Sequence, residues 1–364
     1  MGAPTPTARA ERARVSSIHD VARVAGVSTA TVSRALRGLD RVSPDTRTRV
    51  LAAAQQLQYV ASPSASSLKS GKTGVVGVVV PFLTRWFFTH LMDGAEARLR
   101  QDGYHILLFN IGGRGTPRAH VFDQQLLAKR LDALLVLSAD LDPPEVAMMR
   151  ALHLPIVTVG LDLAGCDRVG IDDVAAADAA MTHLLNLGHE RIAYIGGNPG
   201  NDVHIATAVQ RWRGVERALR RRGLPIDPAY HVFGDWTVSG GMVQGGRLLD
   251  LPSPPTAILA ASDEMAIGVL VEARRRGVGV PAELAVIGID DHEMSITHGL
   301  TTIKQDVPEQ GRAAAELLLT ALAHGELRPR RQLMLPTQLV VRSSTAPVVA
   351  GPTVLPQRRP DALV

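Results

Sequence analysis

Apolar residues recur with two different periods along this chain. Between residues 17 and 57 they recur at helical spacing, as Val21, Ala22 and Ala25, then Val32, Ala35 and Leu36, then Val50, Leu51, Ala54 and Leu57. Apolar positions three and four residues apart lie on one face of a helix. This part of the chain is therefore predicted to form three short helices that pack against one another.

The residues between these apolar groups predict where the helices begin and end. Ser17, with Asp20 three residues later, suits the start of the first helix. Gly26 can adopt the left-handed backbone that ends this helix, and Ser28 can cap the second. Ser43 followed by a proline predicts the start of the third. Two helices joined by a tight glycine turn, with a third behind them, are typical of a helix-turn-helix unit that reads a DNA groove.

From residue 74 onwards, continuous apolar runs alternate with helical stretches. The first series predicts strands at Val75–Val80, His105–Asn110, Ala133–Leu137 and Ile156–Gly160, and helices at about 88–102, 117–131 and 143–153. The second series predicts strands at Arg191–Gly196, Tyr230–Phe233, Ala257–Ala261 and Leu284–Ile289, and helices at 174–187, 206–222, 239–250 and 264–276. Continuous apolar strands between helices predict parallel sheets covered on both faces. Two such series predict two similar lobes.

The predicted fold class is thus α/β: an N-terminal three-helix helix-turn-helix domain at 17–61 and a two-lobed core with parallel sheets at 74–345. The first lobe is expected at about 74–170 and 302–326, and the second at about 171–301 and 327–345. The polar segment 62–73 predicts a linker, in which Ala65 and Leu68 would share one side of a single helical turn. Residues 1–16 and 346–364 are predicted to be mobile tails.

The positive charge of the chain is concentrated at its N-terminal end. Residues 1–72 carry 11 Lys and Arg against 4 Asp and Glu, whereas the whole chain carries 39 against 35, which leaves 28 against 31 for residues 73–364. Binding to phosphate by release of counterions requires clustered basic residues. The charge pattern therefore agrees with a helix-turn-helix domain that binds DNA and a core that does not.

Polar and aromatic residues follow many of the predicted strands. In parallel sheets, ligands bind at the carboxyl ends of the strands, so two facing lobes predict a cleft there. The candidates are Pro81, Phe82, Asn110, Ser138 and Asp162 in the first lobe, and Asn198, Asp235, Trp236, Ser262, Asp263, Asp290 and Asp291 in the second, with Arg211 on a helix facing the same side. Charged groups and an indole face suit a polyhydroxylated ligand. For Asp263, a role as a helix cap is an equally open alternative.

Other functional classes find little support. Cys166 is the only cysteine, so neither an intramolecular disulfide nor a cysteine-based metal site can form. The chain lacks the glycine-rich phosphate loops, the Gly-x-Ser-x-Gly elbow and the His-Glu-x-x-His motif. The N-terminus has no apolar signal region, and no run of about twenty apolar residues occurs. We therefore expect a cytoplasmic protein with no enzymatic activity, no cofactor and no metal site, which does not bind a membrane.

Several short motifs occur in a fixed order: Asp20-Val21-Ala22, Gly26-Val27-Ser28, Thr31-Val32-Ser33-Arg34, Leu187-Gly188-His189, Asp263-Glu264-Met265-Ala266, Val286-Ile287-Gly288-Ile289-Asp290-Asp291 and Leu300-Thr301-Thr302-Ile303. Through them the chain resembles the LacI/GalR family of bacterial transcriptional repressors over nearly all of residues 17–345. The resemblance implies a periplasmic-binding-protein-like core and a homodimer on a pseudo-palindromic DNA operator. It also implies a small-molecule effector, a sugar or sugar derivative, and control of sugar uptake or catabolism genes.

The resemblance also implies roles for individual residues. The positions that match DNA-contacting ones are Ser17, Ser28, Thr29, Ala30, Thr31, Ser33 and Arg34, with Ala65 and Leu68 in a hinge that inserts leucine into the minor groove. The positions that match the effector pocket are Phe88, Arg211, Trp236, Ser262, Asp263, Asp290 and Gln305. The chain departs from the family at Ser66, where the family commonly has arginine, and at Gly160, where it usually has aspartate.

Two further hypotheses share parts of this pattern. A periplasmic-type sugar-binding protein would have the same two-lobed core, and an enzyme acting on sugars would have a similar cleft. The basic helix-turn-helix and the lack of a signal region favour the regulator over the first. The lack of catalytic motifs argues against the second.

Overall fold

The structure, a computed structural model, describes residues 16–36, 38–59, 72–112, 130–139, 141–198, 205–324 and 329–345. The chain separates into two units, Met1–Thr73 and Gly74–Val364. The predicted hinge residues Ala65, Ser66 and Leu68, most of the predicted helix 117–131 and the two predicted tails lie outside the described residues, apart from residue 16. No helix within the described ranges is long and apolar enough to cross a membrane.

The N-terminal unit contains the three predicted helices, α1 (Ile18–Ala25), α2 (Thr29–Leu36) and α3 (Pro44–Gln56). Each helix contributes a fully buried valine, namely Val21, Val32 and Val50, and small alanines surround them. Because these core side chains are small, the three short helices can approach closely and bury one another's apolar faces. The predicted three-helix arrangement is confirmed.

The first lobe of the second unit is built on a parallel sheet. Its strands in the described residues are β1 (Val75–Val80), β2 (His105–Asn110), β3 (Ala133–Leu137), β4 (Ile156–Val159), β5 (Asp167–Gly170) and β11 (Gln332–Met334). They lie in the order β11-β5-β4-β3-β1-β2. Its helices in the described ranges are α4 (Trp86–Gln101), α5 (Pro143–Arg150) and α11 (Val307–His324).

Both faces of this sheet are covered, as the continuous apolar strands predict. Val76, Val78 and Val80 of β1 pack with the residues of α4 and α11, whereas Val79 packs on the opposite face with α5. Helices α4 and α11 touch through their backbones, because a Cβ atom at Gly94 would lie 1.9 Å from the carbonyl oxygen of Pro308. A side chain at that glycine would force the two helices apart.

The second lobe has a sheet whose strands in the described residues are β6 (Ile192–Gly197), β7 (His231–Gly234), β8 (Ala257–Ala260), β9 (Ala285–Asp290), β10 (Thr301–Gln305) and β12 (Thr337–Val340). They lie in the order β12-β10-β9-β8-β6-β7, and β12 is antiparallel to β10. Its helices are α6 (Asp173–Asn186), α7 (Ile205–Arg221), α8 (Val238–Leu249), α9 (Asp263–Arg276) and the short α10 (Met294–His298). The two parallel-sheet lobes confirm the predicted fold class.

The sheet pairings correct the predicted lobe boundaries. Residues 302–305 were expected in the first lobe, yet β10 pairs with β9 and belongs to the second sheet. Residues 332–334 were expected in the second lobe, yet β11 pairs with β5 of the first. The sequence pattern missed β5 and β10 because both contain polar residues that are buried: Asp167 accepts a hydrogen bond from the Arg331 amide, and Thr301 bonds with Thr345.

Candidate DNA-binding helix and effector cleft

The helix-turn-helix is held by the caps that its sequence predicts. The Ser17 hydroxyl accepts a hydrogen bond from the Asp20 amide at 3.3 Å, and the Asp20 carboxylate accepts one from the Ser17 amide at 3.0 Å. Gly26 ends α1 in the left-handed conformation with φ of 66°. The Ser28 hydroxyl then accepts from the Thr31 amide at 3.2 Å at the start of α2. The turn that orients α2 against α1 is therefore fixed by local hydrogen bonds.

Helix α2 has one buried side and one accessible side. Val32 and Ala35 are buried in the core of the N-terminal unit, whereas Ala30 and Arg34 are exposed one helical turn apart. Thr29, Thr31 and Ser33 are half-buried beside them. The predicted DNA-contacting residues of this helix thus lie together, and the Arg34 guanidinium is accessible for hydrogen bonds to base edges.

A cleft of about 560 Å³ lies at the carboxyl ends of the strands of both lobes in the second unit. Six of the seven predicted effector residues line it: Phe88, Arg211, Trp236, Ser262, Asp290 and Gln305. Of the other predicted strand-end residues, Phe82, Ser138, Asn198 and Asp235 also line it.

Asp263 does not line the cleft. It is fully buried, and its carboxylate accepts hydrogen bonds from the hydroxyls of Ser295 and Thr302, both at 2.7 Å, and from the His292 amide at 3.0 Å. These bonds tie α9 to the segments that follow β9. The structure places Asp263 in this structural network, while its neighbour Ser262 caps α9 at the cleft.

Arg211 lies at the floor of the cleft on α7 and is buried. Its Nε donates to Asp173 at 2.8 Å, its Nη1 donates to the carbonyl oxygen of Ala261, and it lies 3.9 Å from Asp290. Its guanidinium carbon is 5.9 Å from the centre of the Trp236 ring. A buried guanidinium needs such partners, because an unpaired charge in a low-dielectric site is costly.

Asp290 connects this cation to the first lobe. Its carboxylate accepts a hydrogen bond from Gln305 at 2.6 Å, and Gln305 in turn accepts one from Gln310 of α11 at 2.8 Å. Burial raises the pKa of Asp290 above its ordinary value, and the nearby Arg211 opposes that rise. Asp173 and Gln310 were missed by the sequence analysis because neither belongs to a local motif.

The N-terminus of α4 bridges the two lobes. Arg85 donates to the backbone carbonyls of Trp236 and Asp235 at 2.8 and 3.1 Å. The indole nitrogen of Trp86 donates to the carboxylate of Glu293, which follows β9. The loops after β7 and β9 are thus both attached to the first lobe beside the cleft.

Gly160, where the chain departs from the family pattern, has a physical explanation in the cleft wall. Its φ is 72°, in the left-handed region that favours glycine, and a Cβ atom there would lie 2.3 Å from the Ser138 hydroxyl. An aspartate would be strained by this backbone, and its Cβ would displace the Ser138 hydroxyl, which donates to the Val159 carbonyl at 3.1 Å. Asp162, two residues later, does not line the cleft and instead pairs with Arg330 and Arg168.

This arrangement defines a class of protein: a helix-turn-helix unit followed by a two-lobed ligand-binding core. The family described as bacterial regulatory proteins, lacI family, matches residues 17–62, and the periplasmic binding protein-like domain matches residues 181–345. The HTH-type transcriptional repressor CytR of Escherichia coli K12 is 34% identical over 335 residues, which is 91% of this chain and 96% of CytR. The chain therefore belongs to the LacI family and is a DNA-binding transcriptional regulator.

Solved structures agree with this assignment. The lac repressor dimer bound to operator and the anti-inducer ONPF has a TM-score of 0.80 and 28% identity, with 92% of this chain and all of that chain covered. The transcriptional regulator CelR in complex with cellobiose has a TM-score of 0.66 and 31% identity, with 90% of this chain and 99% of the CelR chain covered. Both solved proteins are thus similar to this chain along most of its length.

Proposed function

We propose that this protein is a ligand-controlled repressor that binds a pseudo-palindromic operator as a homodimer and regulates genes of sugar uptake or catabolism. The observation that carries the proposal is the combination of an accessible Arg34 on a capped α2 with a cleft built around Arg211 and Asp290. The similar lac repressor, which is bound as a dimer to operator, supports the proposed DNA binding, and CelR, which is bound to cellobiose, supports the proposed effector binding.

In the proposed mechanism, α2 enters the major groove, and Thr29, Ala30 and Arg34 contact base edges. Ser17, Ser28, Thr31 and Ser33 contact the DNA backbone, and Ala65 and Leu68 act in the hinge at the centre of the operator. The effector binds in the cleft to Phe88, Arg211, Trp236, Ser262, Asp290 and Gln305. It changes operator affinity to the extent that it prefers one arrangement of the lobes.

We also propose that the protein is not an enzyme and needs neither a cofactor nor a metal. Family membership supports a regulatory role, and the sequence lacks the common catalytic motifs. Within the described residues, no group of three or more His, Cys, Asp or Glu side chains is arranged to hold a metal ion.

The experiment that tests the proposal has two stages. Binding-site selection from random DNA with the full-length protein should yield a sequence with two-fold symmetry. Affinity for that site, measured with and without a panel of sugars and polyols, should then change with at least one of them. Recovery of no symmetric site would contradict the DNA half, and an operator affinity that no panel member alters would contradict the sensor half.

A further inference from the structure

The charges that line the cleft indicate which chemical class of effector it can bind. Among the described residues, the lining contains four carboxylates, from Asp173, Asp235, Glu264 and Asp290, and two guanidinium groups, from Arg85 and Arg211. The formal balance is −2, or −1 when Asp290 holds a proton. Among the described residues, an anionic ligand therefore meets no excess of positive charge.

Both cations are already engaged by the protein. Arg85 is held by two backbone carbonyls of the second lobe, and Arg211 by Asp173 and the Ala261 carbonyl. Sites that recognise phosphate or carboxylate use guanidinium groups as bidentate donors to the anion. Within the described residues, the Nη2 nitrogen of Arg211 has no protein partner. One free nitrogen can donate to a single ligand hydroxyl but cannot form the bidentate contact that a phosphate takes.

Glu264 differs from the other three carboxylates. Asp173 accepts from Arg211, Asp290 from Gln305, and Asp235 from Thr237, whereas the Glu264 side chain has no hydrogen-bond donor among the described residues. It is half-buried on α9, and burial raises the pKa of its carboxyl group, which the charge of Arg85 opposes. A partly desolvated carboxylate without a donor is stabilised when a ligand donates hydrogen bonds to it from hydroxyl groups.

The remaining wall is aromatic. Phe82, Phe87 and Phe88 of the first lobe and Phe233 and Trp236 of the second line the cleft, and together they include four of the six phenylalanines in the chain. Aromatic faces pack against the apolar C–H faces of rings. A ligand with ring faces and peripheral hydroxyls matches both the walls and the unpaired carboxylate.

We propose that the cleft selects a polyhydroxylated ring compound without an anionic group and that Glu264 is a specificity-determining residue, which accepts hydrogen bonds from ligand hydroxyls and rejects phosphorylated and acidic analogues. This inference rests on the proposed function, because it assumes that the cleft is the effector site. Ser262 and Glu264 would then approach the ligand from the first turn of the same helix.

Isothermal titration of the full-length protein with matched probes tests the proposal. The pairs are ribose and ribose 5-phosphate, glucose and glucose 6-phosphate, and cellobiose and cellobionate. At least one neutral probe should bind, and its charged partner should bind at least about tenfold more weakly. An anionic partner that binds as tightly as its neutral form would overturn the inference.

Glu264→Gln is the decisive variant, because it keeps the shape of the side chain and removes its charge. Its affinity for the neutral probe should fall by about 10- to 100-fold, and the gap between neutral and anionic probes should narrow. Glu190→Gln, at an exposed glutamate outside this cleft, is the matched control and should bind as wild type does. A folded Glu264→Gln protein with unchanged selectivity would refute the role of this residue.

The failure of this inference can be separated from failure of the proposed function. If no probe binds and none alters operator affinity, the sensor half of the proposed function fails and this inference fails with it. If probes bind and alter operator affinity without regard to charge, only the inference about effector class is wrong.

Discussion

Arg85 of the first lobe and Trp236 of the second are joined by a hydrogen bond of 2.8 Å from the guanidinium to the backbone carbonyl. A second bond from the same guanidinium to Asp235 reinforces this bridge. Trp236 has a left-handed backbone with φ of 63°, so its ring and its carbonyl group are held in an uncommon orientation. The loop that carries the indole is thus positioned from the opposite lobe.

Arg85→Ala should therefore weaken effector binding without changing the chemistry of the cleft floor. Each of the two hydrogen bonds contributes about 0.5–1.5 kcal/mol, so affinity should fall by about tenfold or more. Calorimetry measures this loss, and small-angle scattering should show a more open core in the absence of ligand. Arg100→Ala, at an exposed arginine farther along α4, is the control and should change neither. Equal affinities for the Arg85→Ala and Arg100→Ala proteins would contradict the bridging role.

Arg34→Ala should abolish specific operator binding while the core stays folded and able to bind ligand. A bidentate contact from arginine to a guanine edge contributes about 1–3 kcal/mol, and a dimer would lose two of them. Fluorescence anisotropy with operator and with unrelated DNA separates specific from non-specific binding. Arg220→Ala, an exposed arginine of the core, should bind both as wild type does. If the Arg34→Ala protein still discriminates between the two DNAs, α2 does not read the operator.

Ser17→Ala should destabilise the N-terminal unit, because the capping box with Asp20 is lost. Removal of such a cap costs about 0.5–2 kcal/mol. Hydrogen exchange of residues 18–25 in the full-length protein without DNA measures this effect apart from any contact to phosphate. Ser17→Thr keeps the hydroxyl and should retain most of the protection. Protection in Ser17→Ala equal to that in wild type would show that the cap contributes little.

The parts that sequence predicts well are those with local causes. The boundaries of α1 and α3 follow from Ser17, Gly26 and Ser43, whose side chains or backbone act within a few residues. The cleft follows from the rule that parallel strands point their carboxyl ends to one side, which brings Trp236 and Asp290 together although they are distant in the chain.

The parts that sequence does not predict depend on distant partners. Asp263 stands at a strand end like Asp290, but Ser295 and Thr302 satisfy its carboxylate and leave it outside the cleft. Arg85 and Asp173 lie in segments without a recognisable motif, and their roles appear only once the lobes face each other. Long-range hydrogen-bond partners leave no periodic signal in the chain.

Asp290→Asn should remove the response of operator binding to effector while basal operator affinity stays near that of wild type. The asparagine keeps the shape at the cleft floor and can still accept from Gln305, but it can no longer ionise to a carboxylate beside Arg211. Anisotropy titrations with and without effector measure the coupling, which is typically about 1–3 kcal/mol. Asp93→Asn, at an exposed site on α4, should keep the full response. A normal response in Asp290→Asn would remove this carboxylate from the effector site.

Arg211→Ala is a less informative variant for the same question. Its removal leaves Asp173 and Asp290 buried without their cation, and breaking a buried pair in this way costs about 3–5 kcal/mol. We expect a lower unfolding midpoint as well as a lost response. Loss of the response in this variant alone would therefore not separate ligand contact from misfolding, whereas Asp290→Asn does.

The raised pKa of Asp290 also predicts how stability depends on pH. Burial penalises the ionised form of the Asp290 carboxyl group, so the folded protein binds the carboxyl proton more tightly than the unfolded chain does. In the unfolded chain the pKa of this group is about 3.8. The resulting stabilisation is complete below that value and is lost as pH rises through the raised pKa. Asp290→Asn has no such proton, so its unfolding midpoint should fall less than that of wild type as pH increases from acidic to neutral. Calorimetric scans of both proteins without ligand measure the difference, and parallel pH profiles would show that Asp290 is not held in its protonated form by burial.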